Sequence, residues 1–352
     1  MKKYGLLVIS LLFCLQSSGQ IGADDVYEFL NIAPSARATA MGGMYITVFD
    51  EDPNLGVQNP ALYNKKMHKQ MSFGNVFHLA KTNFGNLAYV HHLDSLFTIG
   101  LDVQFANYGS FTQTAASSQV LGEFSGSDLL FNLGIAKQQD KISYGLNLRA
   151  INSNIENFNS FGLALDIGAV YYDPEREITA SVVFKNIGGQ LTTYDGEKKE
   201  GAPFNVQFGI SKKLKYLPLR VSIQGHDLHK WNIRYDDPTL LETSVLIGAD
   251  TTEQNHFADK LFRHLIFSGE FYFGKRVSVR MGYNHLRRQE MRLSDVGGAL
   301  GFSFGLGINT KRIKIDYGRG NYHFAGGSNH ITLTMDLNQM SLPKFDRKKN
   351  KE

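Results

Sequence analysis

Several strings in this 352-residue chain have the form of chemical motifs. Gly301-Phe302-Ser303-Phe304-Gly305 matches the Gly-x-Ser-x-Gly of a nucleophile elbow. That motif needs a sharp strand-to-helix turn to expose its serine, and here the serine lies inside a strand-like alternation. Ser341-Leu342-Pro343-Lys344 matches Ser-x-x-Lys, but in a polar tail with no accompanying Lys-Thr-Gly. His91 and His92 are neighbours on one predicted strand, so they point to opposite faces and cannot share a metal. His226 and His229 flank the start of a long loop and read as ordinary loop histidines rather than ligands. Gly188-Gly189 and Gly326-Gly327 read as loop bends, since no phosphate-loop helix follows either. No coherent Ser/His/Asp set remains, and the expectation is a non-enzyme with no cofactor and no metal.

The elements around these residues are more informative. The chain carries 35 Gly, 25 Phe and 16 Tyr but 8 Pro and one Cys, with a net charge of +4. This is not the composition of a disordered chain. The single Cys excludes an internal disulfide framework and a Cys-rich zinc site, and the weak, dispersed charge gives no argument for nucleic acid. Lys2-Lys3, the apolar run Tyr4–Leu15 and the small residues Ser17, Ser18 and Gly19 form an export signal, with cleavage expected after Gly19. Phe13 before Cys14 argues against a lipoprotein, because a small residue is expected there. Past the signal no apolar run approaches the roughly 20 residues a spanning helix needs.

Instead the sequence alternates. Phe97, Ile99, Leu101, Val103 and Phe105 exchange places with Thr98, Gly100, Asp102, Gln104 and Ala106. Phe204, Val206, Phe208 and Ile210 do the same, as do Leu219, Val221 and Ile223, Leu300 to Ile308, and Ile331 to Leu337. A period of two is a strand with two unlike faces. About fourteen such segments occur: 69–80, 83–94, 95–107, 127–139, 140–152, 159–173, 176–187, 203–214, 217–229, 261–274, 275–287, 297–309, 311–318 and 328–337. Each is long enough to cross a bilayer when tilted, and no proline falls in a strand interior. Connections sort by parity: the even ones are tight, while 108–126, 188–202 and 230–260 are long. The prediction is a transmembrane antiparallel β-barrel of about fourteen strands in an outer membrane, in contact with its lipid.

The small-or-polar face carries Asp102, Arg149, Lys185, Arg220, Glu270, Arg280, Lys314, Asp316 and Asp336, which in a barrel line a wet lumen of mixed sign. Residues 24–64 do not alternate, and about forty residues ahead of the first strand can fold into a plug within a wide barrel. The domain reading is therefore signal peptide 1–19, plug segment 20–66, barrel 67–338 and basic periplasmic tail 339–352.

The plug segment carries Phe29-Leu30, Ile32, Ser35-Ala36-Arg37, Met41-Gly42-Gly43, the acidic stretch Asp50-Glu51-Asp52 and Asn59-Pro60-Ala61-Leu62. Together with an export signal and a following barrel, these resemble the PorQ family of the type IX secretion system of Bacteroidetes, which is similar to PorV and more distantly to the fatty-acid channel FadL. The resemblance is specific over residues 26–63 and one of architecture over the barrel. It implies an outer-membrane component of the cell-surface attachment complex, acting with PorU, PorZ and PorV-like proteins and holding a PorZ-like partner at the membrane. It matches Arg37, Asp50, Asp52 and Asn59 to the plug motif, either as plug-to-wall ion pairs and gate or as turn caps that keep the plug folded.

The loops are then the functional candidates. Residues 230–260 contain Trp231, the only Trp, with Tyr235, Asp236, Asp237, His256 and Phe257, and aromatics are favoured interface anchors. The alternatives are a loop folded over the pore or a Trp231 seated in an interfacial aromatic belt. A FadL-like channel for small apolar molecules is the rival function. It needs an apolar pocket beside the plug, which the polar lumen face argues against, so no small-molecule substrate is expected.

Overall fold

The computed structural model describes residues 25–77, 82–93, 97–196, 198–233, 257–291, 299–323 and 326–340. The predicted signal peptide and most of the basic tail lie outside these. The described residues form a closed barrel of fourteen antiparallel strands in sequence order. These are β1 (Gln70–Phe77), β2 (Asn83–Leu93), β3 (Phe97–Thr114), β4 (Val120–Gln139), β5 (Ile142–Ile155), β6 (Phe158–Asp173) and β7 (Ile178–Thr192). They continue as β8 (Asn205–Lys213), β9 (Leu219–Gly225), β10 (Leu265–Phe273), β11 (Val277–Asn284), β12 (Phe302–Asn309), β13 (Ile313–His323) and β14 (Gly326–Asp336). The sheet closes where β1 pairs with β14, from Gln70 opposite Asp336 to Phe77 opposite Asn329. Closure leaves no strand edge with unpaired backbone groups, which a lipid environment demands.

The barrel is inside-out relative to a soluble protein. Leu101, Phe131, Leu148, Ile210 and Phe304 are 47–54% exposed, all on the outer face, while Asp102, Asn132, Arg149, Glu270 and Arg280 are at most 2% exposed on the inner face. An apolar band facing outward and charges facing inward is the pattern of a barrel solvated by lipid. Among the described residues no helix is long and apolar enough to cross a membrane.

Five connections at one end are short: 140–141, 174–177, 214–218, 274–276 and 310–312. This is called the turn end below, and the opposite end the loop end. At the turn end Asp140 takes φ 51°, a left-handed value suited to a two-residue hairpin. The loop end carries 193–204, 226–264 and 285–301.

Three expectations need correction here. Residues 108–126 are not a loop, because β3 and β4 run on to Thr114 and Val120 as a hairpin that stacks Phe111 on Phe124 at 5.3 Å. A register shift between Asn107 and Ser110 swaps the faces, so the alternation breaks although the pairing does not. Gly188 and Gly189 lie within β7, at an irregularity where Leu165 faces Ile187 but Ile167 faces Phe184, and Gly326 and Gly327 begin β14. Two short helices, α3 (Phe257–Arg263) and α4 (His285–Glu290), occupy stretches read as loop and strand end. They are too short to show a 3.6-residue period.

Candidate functional site: the lumen segment and its wall

Residues 25–67 run through the barrel. They contain α1 (Ala36–Ala40), α2 (Asn54–Gln58) and three short 3-10 turns. Three of these five starts are fixed by their N-cap side chains: Ser35 accepts from Ala38 N, Asn59 from Ala61 N and Asn64 from Lys66 N. Almost every side chain of the segment is buried, including Met41, Tyr45, Ile46, Leu62, Tyr63 and Met67 at 0–1% exposure. Val90, Ala136 and Val170 of the wall join Met41, Tyr45, Leu55, Leu62 and Tyr63 in one apolar cluster.

The charged centre is a network between segment and wall. Arg37 donates from Nε to Glu270 Oε1 at 3.1 Å and from Nη2 to Oε2 at 2.8 Å. Its Nη1 lies 2.8 Å from Asp50 Oδ2 and 3.4 Å from Asp52 Oδ2. Glu270 also accepts from Tyr45 Oη at 3.0 Å, Tyr272 Oη at 2.6 Å and Arg280 Nε at 2.6 Å. Arg280 continues to Asp316 at 2.6 Å, and Lys314 stands 3.5 Å from the other Asp316 oxygen. Buried charges persist only when paired and hydrogen-bonded, and this carboxylate has five donors. Asp50 and Asp52 also cap turns, accepting from Asp52 N at 3.0 Å and Asn54 N at 3.1 Å, so ion pairing and capping coexist in them.

A second anchor lies across the lumen. Arg149 pairs with Asp166 at 2.6 Å, donates to Asn186 Oδ1 at 3.1 Å, and reaches the segment backbone at Val57 O, 2.9 Å away. Asn54 Oδ1 accepts from Ser72 and Asn86 of the wall at 2.9 and 2.8 Å. Arg220 is inward and near Glu177 at 3.5 Å, and Asp102 accepts from Gln104 at 2.7 Å. Asn59 is fully buried, with its Oδ1 committed to its own turn.

Inward glycines mould the wall to the segment. A Cβ on Gly100 or Gly134 would lie 2.2 Å from the Tyr63 ring, one on Gly145 2.6 Å from Pro60, and one on Gly318 2.1 Å from Ala36 O. Only glycine permits this approach. Alternation and charge alone do not single out these glycines, nor Tyr45, Tyr63, Asn54 and Tyr272. The available signal was a Gly or Ser where inward polar residues are expected, repeated from strand to strand.

Ser303 of the elbow-like string is buried and donates to Ala40 O at 3.1 Å. It ties the wall to α1 and has no helix after it. A narrow cleft of about 20 Å³ lies between Phe29, Ile32, Ala33 and Pro34 of the segment and Val76 and Phe84 of the wall, room for about one water.

At the loop end Trp231 is 52% exposed and packs 5.4 Å from Phe257, itself 66% exposed, and 5.8 Å from His264. His264 reaches two backbone carbonyls, His226 O at 2.9 Å and Trp231 O at 3.2 Å, closing the neck of the loop. Asp259 of α3 bonds Arg263 at 2.8 Å and His285 of α4 at 3.3 Å. Burial pushes the Asp259 carboxyl up, but Arg263 and His285 outweigh it and hold the carboxyl below its ordinary value. Tyr235, Asp236, Asp237 and His256 lie outside the described residues. Among the described residues no group of three His, Cys, Asp or Glu is placed to hold a metal.

No family model matches the sequence, and no curated protein matches it. Solved structures do match in fold. The P. putida toluene transporter TodX is 12% identical with a TM-score of 0.51, covering 87% of this chain and 99% of TodX. A deltaS2 mutant of the TodX monoaromatic hydrocarbon channel is 12% identical with a TM-score of 0.52, covering 86% and 97%. A Pseudomonas aeruginosa FadL homologue is 9% identical with a TM-score of 0.48 over 86% and 98%. At such identities the likeness is one of fold: this chain is a transmembrane β-barrel that shares the architecture of TodX over most of its length.

Proposed function

We propose that this chain is a non-enzymatic outer-membrane barrel, plugged by residues 25–67, that anchors a protein partner at the cell surface. The turn end faces the periplasm and the loop end the outside, as in barrels with short periplasmic turns. The observation that carries the reading is the filled lumen. Segment and wall are joined by apolar packing, the Arg37–Glu270–Arg280 network and the Arg149 anchor, and the cleft beside Phe29 has room for about one water. A barrel so occupied suits work on its outer surface. The resemblance of residues 26–63 to the PorQ family supports placing that work in the attachment step of type IX secretion, with a PorZ-like partner. Purification from native membranes followed by mass spectrometry should recover such a partner. Recovery of the barrel alone, under conditions that keep other membrane complexes intact, would count against the reading.

A second reading is passage of a small apolar molecule. The shared fold with a toluene transporter favours it, as does the apolar lining of the cleft by Phe29, Ile32, Val76 and Phe84. It requires the segment to move, because the apolar cleft beside Phe29 holds about 20 Å³ and the larger cavity of about 220 Å³ at the turn end is lined by Glu51, Asp52, Lys314 and Asp336, which suit an apolar solute poorly. Uptake of toluene by cells carrying the protein, lost on deletion and independent of any surface partner, would decide for it.

A further inference from the structure

We infer that the lumen segment is threaded from the outside inward, so that its first turn, Asp25–Asn31, is part of the external surface. The argument rests on the membrane orientation proposed above. Val26 N donates to Gly201 O at 3.0 Å, and Gly201 belongs to the connection between β7 and β8 at the loop end. Tyr27 Oη shares a 2.7 Å hydrogen bond with Ser160 Oγ, and Ser160 is two residues past the start of β6 at that same end. Glu28 and Asn31 are exposed and bonded to each other at 2.8 Å. The other end of the segment is fixed at the turn end. His92 N donates to His68 Nδ1 at 3.1 Å and Asn338 Nδ2 to His68 O at 2.7 Å, beside the ends of β2 and β14.

The chain therefore enters the barrel at the outer mouth, crosses the lumen, and turns up into β1 from the periplasmic side. The wall bonds run from Ser160 near the outer mouth to the Arg37–Glu270 pair, back toward the loop end where Gly42 O and Met44 O accept from Asn284 and Gln224, and on to Asn54 near the turn end. A pull applied at Glu28 from outside acts on the whole series, whereas the inner end is continuous with β1 and held by the sheet. The outer turn is thus the part of the plug within reach of whatever binds the loops.

Single-cysteine accessibility tests this directly, because the only native cysteine is Cys14. In the full-length chain carrying Cys14→Ala, Glu28→Cys would be compared with Ser118→Cys at the tip of the β3–β4 hairpin. Lys66→Cys and Tyr216→Cys report the turn end. Intact cells treated with a membrane-impermeant maleimide should label Glu28→Cys together with Ser118→Cys. Lys66→Cys and Tyr216→Cys should label only after permeabilisation. Glu28→Cys labelling only with the Tyr216→Cys group, or in neither condition, would overturn the inference. If Ser118→Cys and Tyr216→Cys exchange behaviour while Glu28→Cys still follows Ser118→Cys, the orientation fails but the threading stands.

Discussion

Arg37 and Glu270 meet through two hydrogen bonds of 3.1 and 2.8 Å, at 2% and 0% exposure, one on the lumen segment and the other on β10. They are the point at which segment and wall are electrostatically a single body. Removing one partner of a buried pair leaves the other charge unmatched. Arg37→Met should therefore cost about 3–5 kcal/mol, leaving Glu270 with Arg280 but Asp50 with Lys314 as its remaining cation. The shift in apparent size between unboiled and heated samples, followed against temperature, should move to lower temperature. An unchanged transition would mean that water already solvates this network.

Gly134→Val tests the moulded wall. Its side chain would meet the Tyr63 ring, which a Cβ already approaches to 2.2 Å. Overpacking of this kind costs about 1–3 kcal/mol. Adding Tyr63→Ala should recover part of the loss, giving a non-additive double-mutant cycle. Additive losses would show that the two residues do not share a contact.

The lipid face is tested at Phe208, near the middle of β8 and 38% exposed. Phe208→Arg should cost about 2–4 kcal/mol if it lies at the bilayer midplane, read from equilibrium unfolding in lipid vesicles. Tyr216→Arg, at a turn where Tyr216 is 90% exposed, should change nothing measurable.

Trp231 and Phe257 form an exposed aromatic pair at the loop end. If the partner docks there, the double change Trp231→Ala with Phe257→Ala should cost upwards of about 2 kcal/mol in binding and shift the partner from the cell surface into the medium. Barrel level and heat shift should stay normal. Full retention of the partner would remove this loop from the interface.

The contact between α3 and α4 should depend on pH. Asp259 has a carboxyl held below its ordinary value in the folded chain, so its contribution is present above the unfolded carboxylate pKa of about 3.9. It is lost as pH falls through the lower folded value. Protection of residues 257–263 against hydrogen exchange, taken relative to the intrinsic rate at each pH, should fall on acidification in the wild type, and Asp259→Asn should abolish that change. Identical pH profiles for the two chains would refute it.

All fourteen strands were legible because each exposes one apolar face to lipid and one small or polar face to the lumen, so the period of two survives without help from context. The β3–β4 extension was not, because the register shift at Asn107 to Ser110 reverses the faces midway. The lumen segment was recognisable as non-alternating, and Arg37, Asp50 and Asp52 come together as their charges suggest. Their wall partner Glu270 could be named as an inward charge but not as theirs. That pairing depends on how deep the segment threads, which no local pattern encodes. The fit of Tyr63 against Gly100 and Gly134 is hidden for the same reason.

The pairing of Gln70 with Asp336 joins the first and last residues of the sheet. In time this means that the ring cannot be completed until the last strand of the chain has been made and exported. Non-local pairings of this length are slow, because chain entropy is lost before any contact rewards it. Until then β1 and β14 are both open edges, and the segment ahead of β1 must already be within the curving sheet when they meet. A chain ending before β14 would retain thirteen strands with two permanent open edges, β1 and β13, and should be a substrate for periplasmic proteolysis rather than a smaller pore.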